Sequence, residues 1–451
     1  MPSAADFNNL GRQLEATGQR ESAMEAFRGA LALDPAYPPA TANLGRLLVA
    51  LNRPREAVAV MEPVVAAAPY DLALEINYAN ALLGIGRVTE AEQRLRAVIA
   101  AGAPPPQAHN SLGIARYIQR DFVAARDAFR NAISADSNFA EAHENLAQAL
   151  LQLGEYEDGW IEYDWRWRNP SNTLTKRTFT VPEWNGEPLD GRTLLLHGEQ
   201  GHGDTVQFVR YAAHIPRGRC GTVVLACQEA LAPLLSTVPG IDGVHVLGDE
   251  LPRFDCHVPI VTLPRLLGPR IDDTPFFAGP YIDAKADSGI ATLSGLKIGI
   301  TWTGKPLYPE DPHRNRSCPP DYFAILTERL GANLFSLQFN PPPGEVARTG
   351  AIDLGPRIDN FQDTARLVAA LDLVVTIDTA LAHIAGALGK PCWVLTPYAA
   401  DWRWTPRADG SQPWYPSIRA IRQAAPGDWT GSFQRVAQDI SLYLVGRITP
   451  I

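Results

Sequence analysis

Two stretches of this chain gather the residue types that hold and activate ligands. In the first, Thr193–Tyr211, a short apolar run from Leu194 to Leu196 leads into three glycines within six residues (Gly198, Gly201, Gly203), then Asp204-Thr205 and an apolar-periodic segment. Such an order reads as a strand, a tight turn and a helix start, where an α/β sheet offers backbone N–H groups and the positive end of a helix dipole. The glycine order G-x-x-G-x-G is neither the dinucleotide fingerprint nor a P-loop, so it locates a site without naming a ligand. In the second stretch, Leu373 to Ile377 reads as a buried strand, Asp378-Thr379 as a cap, and Ala380 to Ala387 as a small apolar helix stopped by Gly389-Lys390-Pro391 before a strand at Cys392 to Thr396. The N–H groups of Asp378, Thr379 and Ala380 can hold a diphosphate. Asp378 itself suits a sugar hydroxyl better than a phosphate, because like charges repel.

Two parallel α/β lobes are needed to carry these stretches. Short β-branched or leucine-rich runs alternate with helical patterns from Thr193 onward. Expected strands are 193–197, 222–226, 244–247 and 256–260 in a first lobe (193–288), and 297–302, 333–337, 373–377, 392–396 and 418–421 in a second (289–451). Helices are expected near 320–330, 361–371, 380–388 and 432–445. Lobes of this kind bring their strand C-termini to a shared cleft, the usual place for ligands.

Ahead of the lobes lies a repeat. Leu10-Gly11, Leu44-Gly45, Tyr78-Ala79, Leu112-Gly113 and Leu146-Ala147 recur every 34 residues. Ala23, Ala57, Ala91, Ala125 and Gly159 keep step with them, as do Phe27, Met61, Leu95, Phe129 and Tyr163. Ala30, Val64, Val98 and Ala132 follow, but the fifth repeat has Arg166 at that place and the pattern fails. Pro35 and Pro69 close the first two repeats, and Pro104 falls one residue late in the third. Small residues let paired helices approach, large ones fill the gap to the next pair, and proline stops the second helix. The pattern resembles the tetratricopeptide (TPR) family, with a helical-repeat domain over 1–168 and a Pro/Gly/Asn-rich linker over 169–192. Asn9, Asn43, Asn77, Ser111 and Asn145 precede the repeat anchors. An amide there can pair with a peptide backbone irrespective of its sequence, or it can simply be a common residue of the repeat. Trp160, Tyr163, Trp165 and Trp167 crowd the end of the array and are expected to dock its last helix onto the next domain.

Composition narrows the function further. At 451 residues the chain exceeds one ordinary core, and its formal charge of −9 disfavours nucleic acid as a partner. No apolar run approaches the ~20 residues that cross a bilayer, and the Met-Pro-Ser-Ala-Ala-Asp start lacks signal-peptide regions. Five scattered cysteines without metal spacing suit a reducing cytoplasm, with no metal and no cofactor expected.

The segment Asp378-Thr379-Ala380-x-x-His383-x-Ala385-x-Ala387-Leu388-Gly389-x-Pro391 resembles the C-terminal signature of the bacterial lipopolysaccharide heptosyltransferases, glycosyltransferase family nine. The Gly198–Asp204 loop is similar to that family's N-terminal Gly-Asp loop. The TPR array, together with the tail Pro397-Tyr398-x-x-Asp401-Trp402-Arg403-Trp404, looks like the TPR-containing glycosyltransferases of bacteria. The resemblance implies an α-solenoid followed by a two-lobe GT-B glycosyltransferase, metal-independent and inverting, with a nucleotide sugar as donor substrate. It makes Asp204 the catalytic base, with Glu199, Gln200, Gly201 and Gly203 beside the acceptor. Arg314, Arg316, Ser317, Gln338, Asp378, Thr379, Ala380 and His383 become the donor side, although Phe339-Asn340 stands where the family continues with Lys-Gly after Gln338. In the similar O-linked N-acetylglucosamine transferases an asparagine ladder lines the groove for the acceptor polypeptide, which would make Asn9, Asn43, Asn77, Ser111 and Asn145 a peptide-binding row. Three functions fit: glycosylation of a protein acceptor docked on the repeats, glycosylation of lipopolysaccharide or another glycan, and a scaffold whose lobes bind without catalysing.

Overall fold

The computed structural model describes all residues except 68–70, 173, 175, 269–278, 305–308, 408–409 and 448–451. Pro69, expected to end the second repeat, and the start of the loop at Lys305 lie outside the described residues. Two compact units divide the chain: Met1–Gly154 together with Leu307–Asn315, and the remainder.

The first unit is a stack of helical hairpins. Its helices are α1 (Ala4–Ala16), α2 (Arg20–Leu33), α3 (Pro38–Ala50), α4 (Pro54–Ala67), α5 (Leu72–Gly84), α6 (Val88–Ala100), α7 (Pro106–Ile118), α8 (Phe122–Ala135) and α9 (Ala140–Leu153). The repeat positions explain the packing. A Cβ at Gly11, Gly45 or Gly113 would collide with Phe27, Met61 or Phe129, the large side chain of the partner helix. Ala23, Ala57, Ala91 and Ala125 are fully buried behind these contacts. Truncating Phe27 to Ala would cost about 3–5 kcal/mol on this account. Gly154, left-handed at φ 77°, ends α9. The next helix, α10 (Tyr156–Tyr163), groups with the second compact unit.

The second unit holds two all-parallel sheets. The first has the order β3-β2-β1-β4, built from β1 (Thr193–His197), β2 (Thr222–Cys227), β3 (Gly243–Val246) and β4 (Cys256–Pro259). In the second, β5 (Lys297–Thr301), β6 (Asn333–Ser336), β7 (Ile352–Asp353), β8 (Leu373–Ile377), β9 (Cys392–Thr396) and β10 (Ile418–Arg422) lie in the order β10-β9-β8-β5-β6-β7. Every residue of β5, β8 and β9 is buried. That burial suits parallel strands covered on both faces, and it explains their unbroken apolar runs. Ile298, Ile300, Val375, Ile377, Trp393 and Leu395 pack against Phe323, Phe433, Val436 and Ile440 in one core. Strand order reverses between β1 and β4 in the first sheet and between β5 and β8 in the second. These two switch points are where such sheets open to ligands.

Candidate functional site

At the first switch point the loop after β1 is held from beneath and from the side. Gly198 donates its N–H to Ala226 O at 2.9 Å. Glu199 has a side chain only 1% exposed and meets Arg166 at 3.2 Å. Burial pushes the Glu199 carboxyl up to about 7; Arg166 opposes that rise, while the charge of Asp204 adds to it. Arg166 is buried too, donating to Asp164, Tyr163 O and Thr262 Oγ1. Gln200 pairs with the Tyr163 hydroxyl, and its carbonyl accepts from Gln228 Nε2 at 2.8 Å.

Asp204 sits in the first turn of α11 (His202–Phe208), inside the helix rather than at its N-cap. Its Oδ2 accepts the Gly201 N–H at 3.0 Å, and its Oδ1 accepts Arg403 Nη2 at 2.6 Å. Arg403, stacked on the Trp402 ring, also donates from Nε to Gln207 Oε1 at 2.8 Å and from Nη1 to both Asp401 oxygens. One planar fork thus grips the candidate base and the side chain three residues on, a geometry that lysine cannot reproduce.

At the second switch point, Thr301 and Thr376 hydroxyls meet at 2.5 Å across β5 and β8, and Thr376 reaches Thr379 at 3.3 Å. Gln338, at the end of β6, turns inward and accepts the N–H groups of Trp302 and Thr303, each at 3.1 Å. The Ser317 hydroxyl lies 3.3 Å from that of Thr303 and accepts the Gly304 N–H at 3.4 Å. Arg316 approaches Asp378 at 3.7 Å. Burial raises the Asp378 carboxyl above its ordinary range, and Asp401 reinforces this against the pull of Arg316. The Ala380–Ala387 helix starts beside this cluster with Thr379 extended at its N-cap.

The two switch points touch. A Cβ on Gly203 would stand 2.7 Å from His383 Cδ2, 3.3 Å from its Nε2 and 3.6 Å from Ala380 Cα, so only glycine fits there. His383 is 4% exposed, and its Nδ1 lies 2.9 Å from the Tyr415 hydroxyl. Burial holds this imidazole neutral well below its usual range, with Arg403, Arg210 and Arg316 pushing the same way. Trp160 from α10 packs edge-on against Phe208 and Trp402, which themselves contact Trp414. The junction aromatics therefore dock α10 onto the lobes, as expected of Trp160 and Tyr163; Trp165 and Trp167 are half-buried, under Arg168 and Arg166 respectively.

Two sets of the expected site residues make contacts within the repeat unit. Arg314 donates from Nε to Asp311 and from Nη2 to Leu83 O at 3.3 Å, inside the repeat unit. The asparagine row is engaged largely within the stack. Asn43 Nδ2 donates to Asn8 at 2.9 Å, Asn77 Nδ2 to Ala42 O at 3.1 Å, and Asn145 Nδ2 to Asn110 at 3.0 Å. Ser111 is buried, and Asn9, at the first repeat, is exposed. Each of these three amides bridges to the residue 35 positions earlier and so ties neighbouring repeats together. Two site residues carried no assigned role in the sequence: Arg403, although its Trp-Arg-Trp surroundings were visible, and Arg166, whose signal was the failure of the repeat pattern at that position. Among the described residues no group of three or more His, Cys, Asp or Glu could hold a metal ion.

Comparison with known proteins agrees with this division. Tetratricopeptide-repeat descriptions match residues 14–69, 77–138 and 119–163, and glycosyltransferase family 9 (heptosyltransferase) matches 345–423. The family 9 match takes in Asp378, His383 and Arg403 but not the loop with Asp204. The protein FlbA of Caulobacter vibrioides is 27% identical over 497 residues, covering 94% of this chain and 82% of its own length. Among solved structures, the thermophilic TPR protein TTC0263 of Thermus thermophilus is 19% identical and covers 38% of this chain and 93% of that one, with TM-score 0.35. MamA (41-end) from Desulfovibrio magneticus RS-1 is 20% identical over 36% of this chain and 91% of its own, with TM-score 0.31. The chain carries a TPR solenoid joined to a glycosyltransferase family 9 domain. The family 9 match supports a glycosyltransferase of the heptosyltransferase-like kind.

Proposed function

We propose that the chain moves a sugar from a nucleoside diphosphate sugar to a hydroxyl of a polypeptide acceptor, with inversion and without a metal. The observation that carries this reading is the direct junction of the two switch points, with Asp204 on one lobe bonded at 2.6 Å to Arg403 on the other. Asp204 takes the proton of the acceptor hydroxyl as its oxygen forms the new bond to the anomeric carbon. The bond from that carbon to the diphosphate breaks on the opposite face, and its electron pair leaves with the diphosphate. Arg316 and the N–H groups at Thr379 and Ala380 meet the charge that develops there. Asp378, its carboxyl raised by burial, holds a sugar hydroxyl. His383, neutral and packed on Gly203, supports the junction and carries no charge to the phosphate.

A polypeptide acceptor is favoured by the TPR stack, because such arrays hold polypeptides. No helix of the described residues is long and apolar enough to cross a membrane, and we place the reaction in the cytoplasm, where nucleotide sugars are made. A non-catalytic scaffold is favoured by one feature: Phe339, 61% exposed, follows Gln338 where the resemblance leads one to expect lysine. A panel of nucleotide sugars, read by thermal shift and nucleoside diphosphate release, separates the two. Binding with release supports the transferase. Binding without release, with cell extract supplied as acceptor, supports the scaffold.

A further inference from the structure

The segment Pro309–Asn315 lies in the loop that leaves β5 of the donor lobe, yet it packs as part of the repeat unit. Asp311 is its hub and is fully buried. Its Oδ1 accepts the His313 N–H at 2.9 Å and lies 3.0 Å from His313 Nδ1; its Oδ2 accepts Arg314 Nε. Its carbonyl accepts the N–H groups of Arg314 at 3.2 Å and Asn315 at 2.9 Å. These bonds close residues 311–315 into one compact turn.

Repeats two and three hold that turn from both sides. At the start of α4 the Arg55 N–H donates to Glu310 at 3.3 Å. At the end of α5 Arg314 donates to Leu83 O. An acid thus meets the positive end of one helix and a base the negative end of the other, the favourable sense for each dipole. Pro312 fills the space over Gly86, where an added Cβ would stand 2.6 Å from Pro312 Cδ and 3.2 Å from Asp311 Oδ1. The next residues along the chain are Arg316, which approaches Asp378, and Ser317, which binds the loop after β5. One peptide bond separates the turn fixed to the repeats from the guanidinium proposed to meet the diphosphate.

We infer that Asp311 is a positioning residue for nucleotide binding: through the 311–315 turn, repeats two and three set the placement of Arg316. The inference rests on the donor site proposed above. It follows that a change at this turn made from the repeat side alters nucleotide affinity, although it touches no donor-site residue. By linkage, whatever occupies these repeats and shifts the turn changes nucleotide affinity, and the nucleotide changes its affinity in return.

The test is calorimetric titration of the full chain with ADP, UDP and GDP, comparing wild type with Asp311→Asn, Gly86→Ala and Gly18→Ala. Gly86 and Gly18 share a left-handed φ of 79°, but only Gly86 faces Pro312; Gly18 has nothing within 4 Å. The two alanines therefore bear the same backbone strain, and only one disturbs the turn. We expect the nucleotide that binds wild type to bind Asp311→Asn and Gly86→Ala about tenfold more weakly, the loss of roughly one charge-assisted bond. Gly18→Ala should bind as wild type does. Should Asp311→Asn fail to fold, the Gly86 and Gly18 pair still decides. Unchanged affinity in Gly86→Ala, or equal losses in Gly86→Ala and Gly18→Ala, overturns the inference and leaves the donor site standing. No binding to wild type by any of the three overturns the donor-site reading, and this inference with it.

Discussion

Glutamine in place of Glu199 should remove a pH dependence that the loop imposes on stability. The carboxyl stands at about 7 in the folded chain against an ordinary value of 4.5. As pH climbs, the unfolded chain gives up this proton first, and the folded chain holds the excess across the window from about 4.5 to about 7. Stability therefore falls through that window and levels off above it. A separation of roughly 2.5 units at about 1.36 kcal/mol each amounts to some 3 kcal/mol, as an order of magnitude. Glutamine keeps an acceptor oxygen for Arg166 and has no proton to lose. Buried histidines such as His197, pushed down to about 3 by burial, titrate alike in both proteins and cancel in the difference. Urea unfolding followed by tryptophan fluorescence reports the second unit, where Trp160, Trp402 and Trp414 are buried. The variant should match wild type near pH 4 and exceed it by about 3 kcal/mol at pH 8. A difference independent of pH would contradict a raised Glu199 carboxyl, as would a less stable variant at pH 8, which would mean that the charged Arg166–Glu199 pair outweighs its desolvation.

Gly203→Ala places a methyl 2.7 Å from His383 Cδ2 in a packed junction; it should cost about 1–3 kcal/mol, lower the melting temperature and suppress transfer. A melting temperature equal to wild type would show that the lobes yield there freely. Asn43→Ala should reduce the stability of the repeat unit by about 0.5–1.5 kcal/mol through its bond to Asn8, read as a shift in the helical circular-dichroism transition. Unchanged stability with lost acceptor capture would return the asparagine row to the peptide.

What the chain reveals before folding depends on how local the cause is. Leu373–Ile377 reads as a strand because four apolar residues and a β-branched threonine between two aspartates have few other fates, and the repeat reads itself by recurrence. β7, with only Ile352 and Asp353, is too short to leave a pattern. The two donor-side arginines look equivalent in sequence, two residues apart, yet Asp311 and Leu83 claim one and Asp378 the other. That division depends on a contact across 231 positions. Arg403 reaches Asp204 across 199 positions, so neither neighbourhood announces the pair. Arg166 was visible only as an error in the repeat, a charged residue where a small one belonged. Its reason is Glu199.

Sugar transfer to protein through Asp204 can be tested directly. Wild type and Asp204→Asn, incubated with isotopically labelled nucleotide sugars and an extract of the source cells, decide it by label recovered in trypsin-sensitive material. Label is expected in the protein fraction with wild type, and none with the variant, whose thermal shift with nucleotide is preserved. Equal labelling by Asp204→Asn would contradict the assigned base, and label confined to lipid or glycan would contradict the polypeptide acceptor.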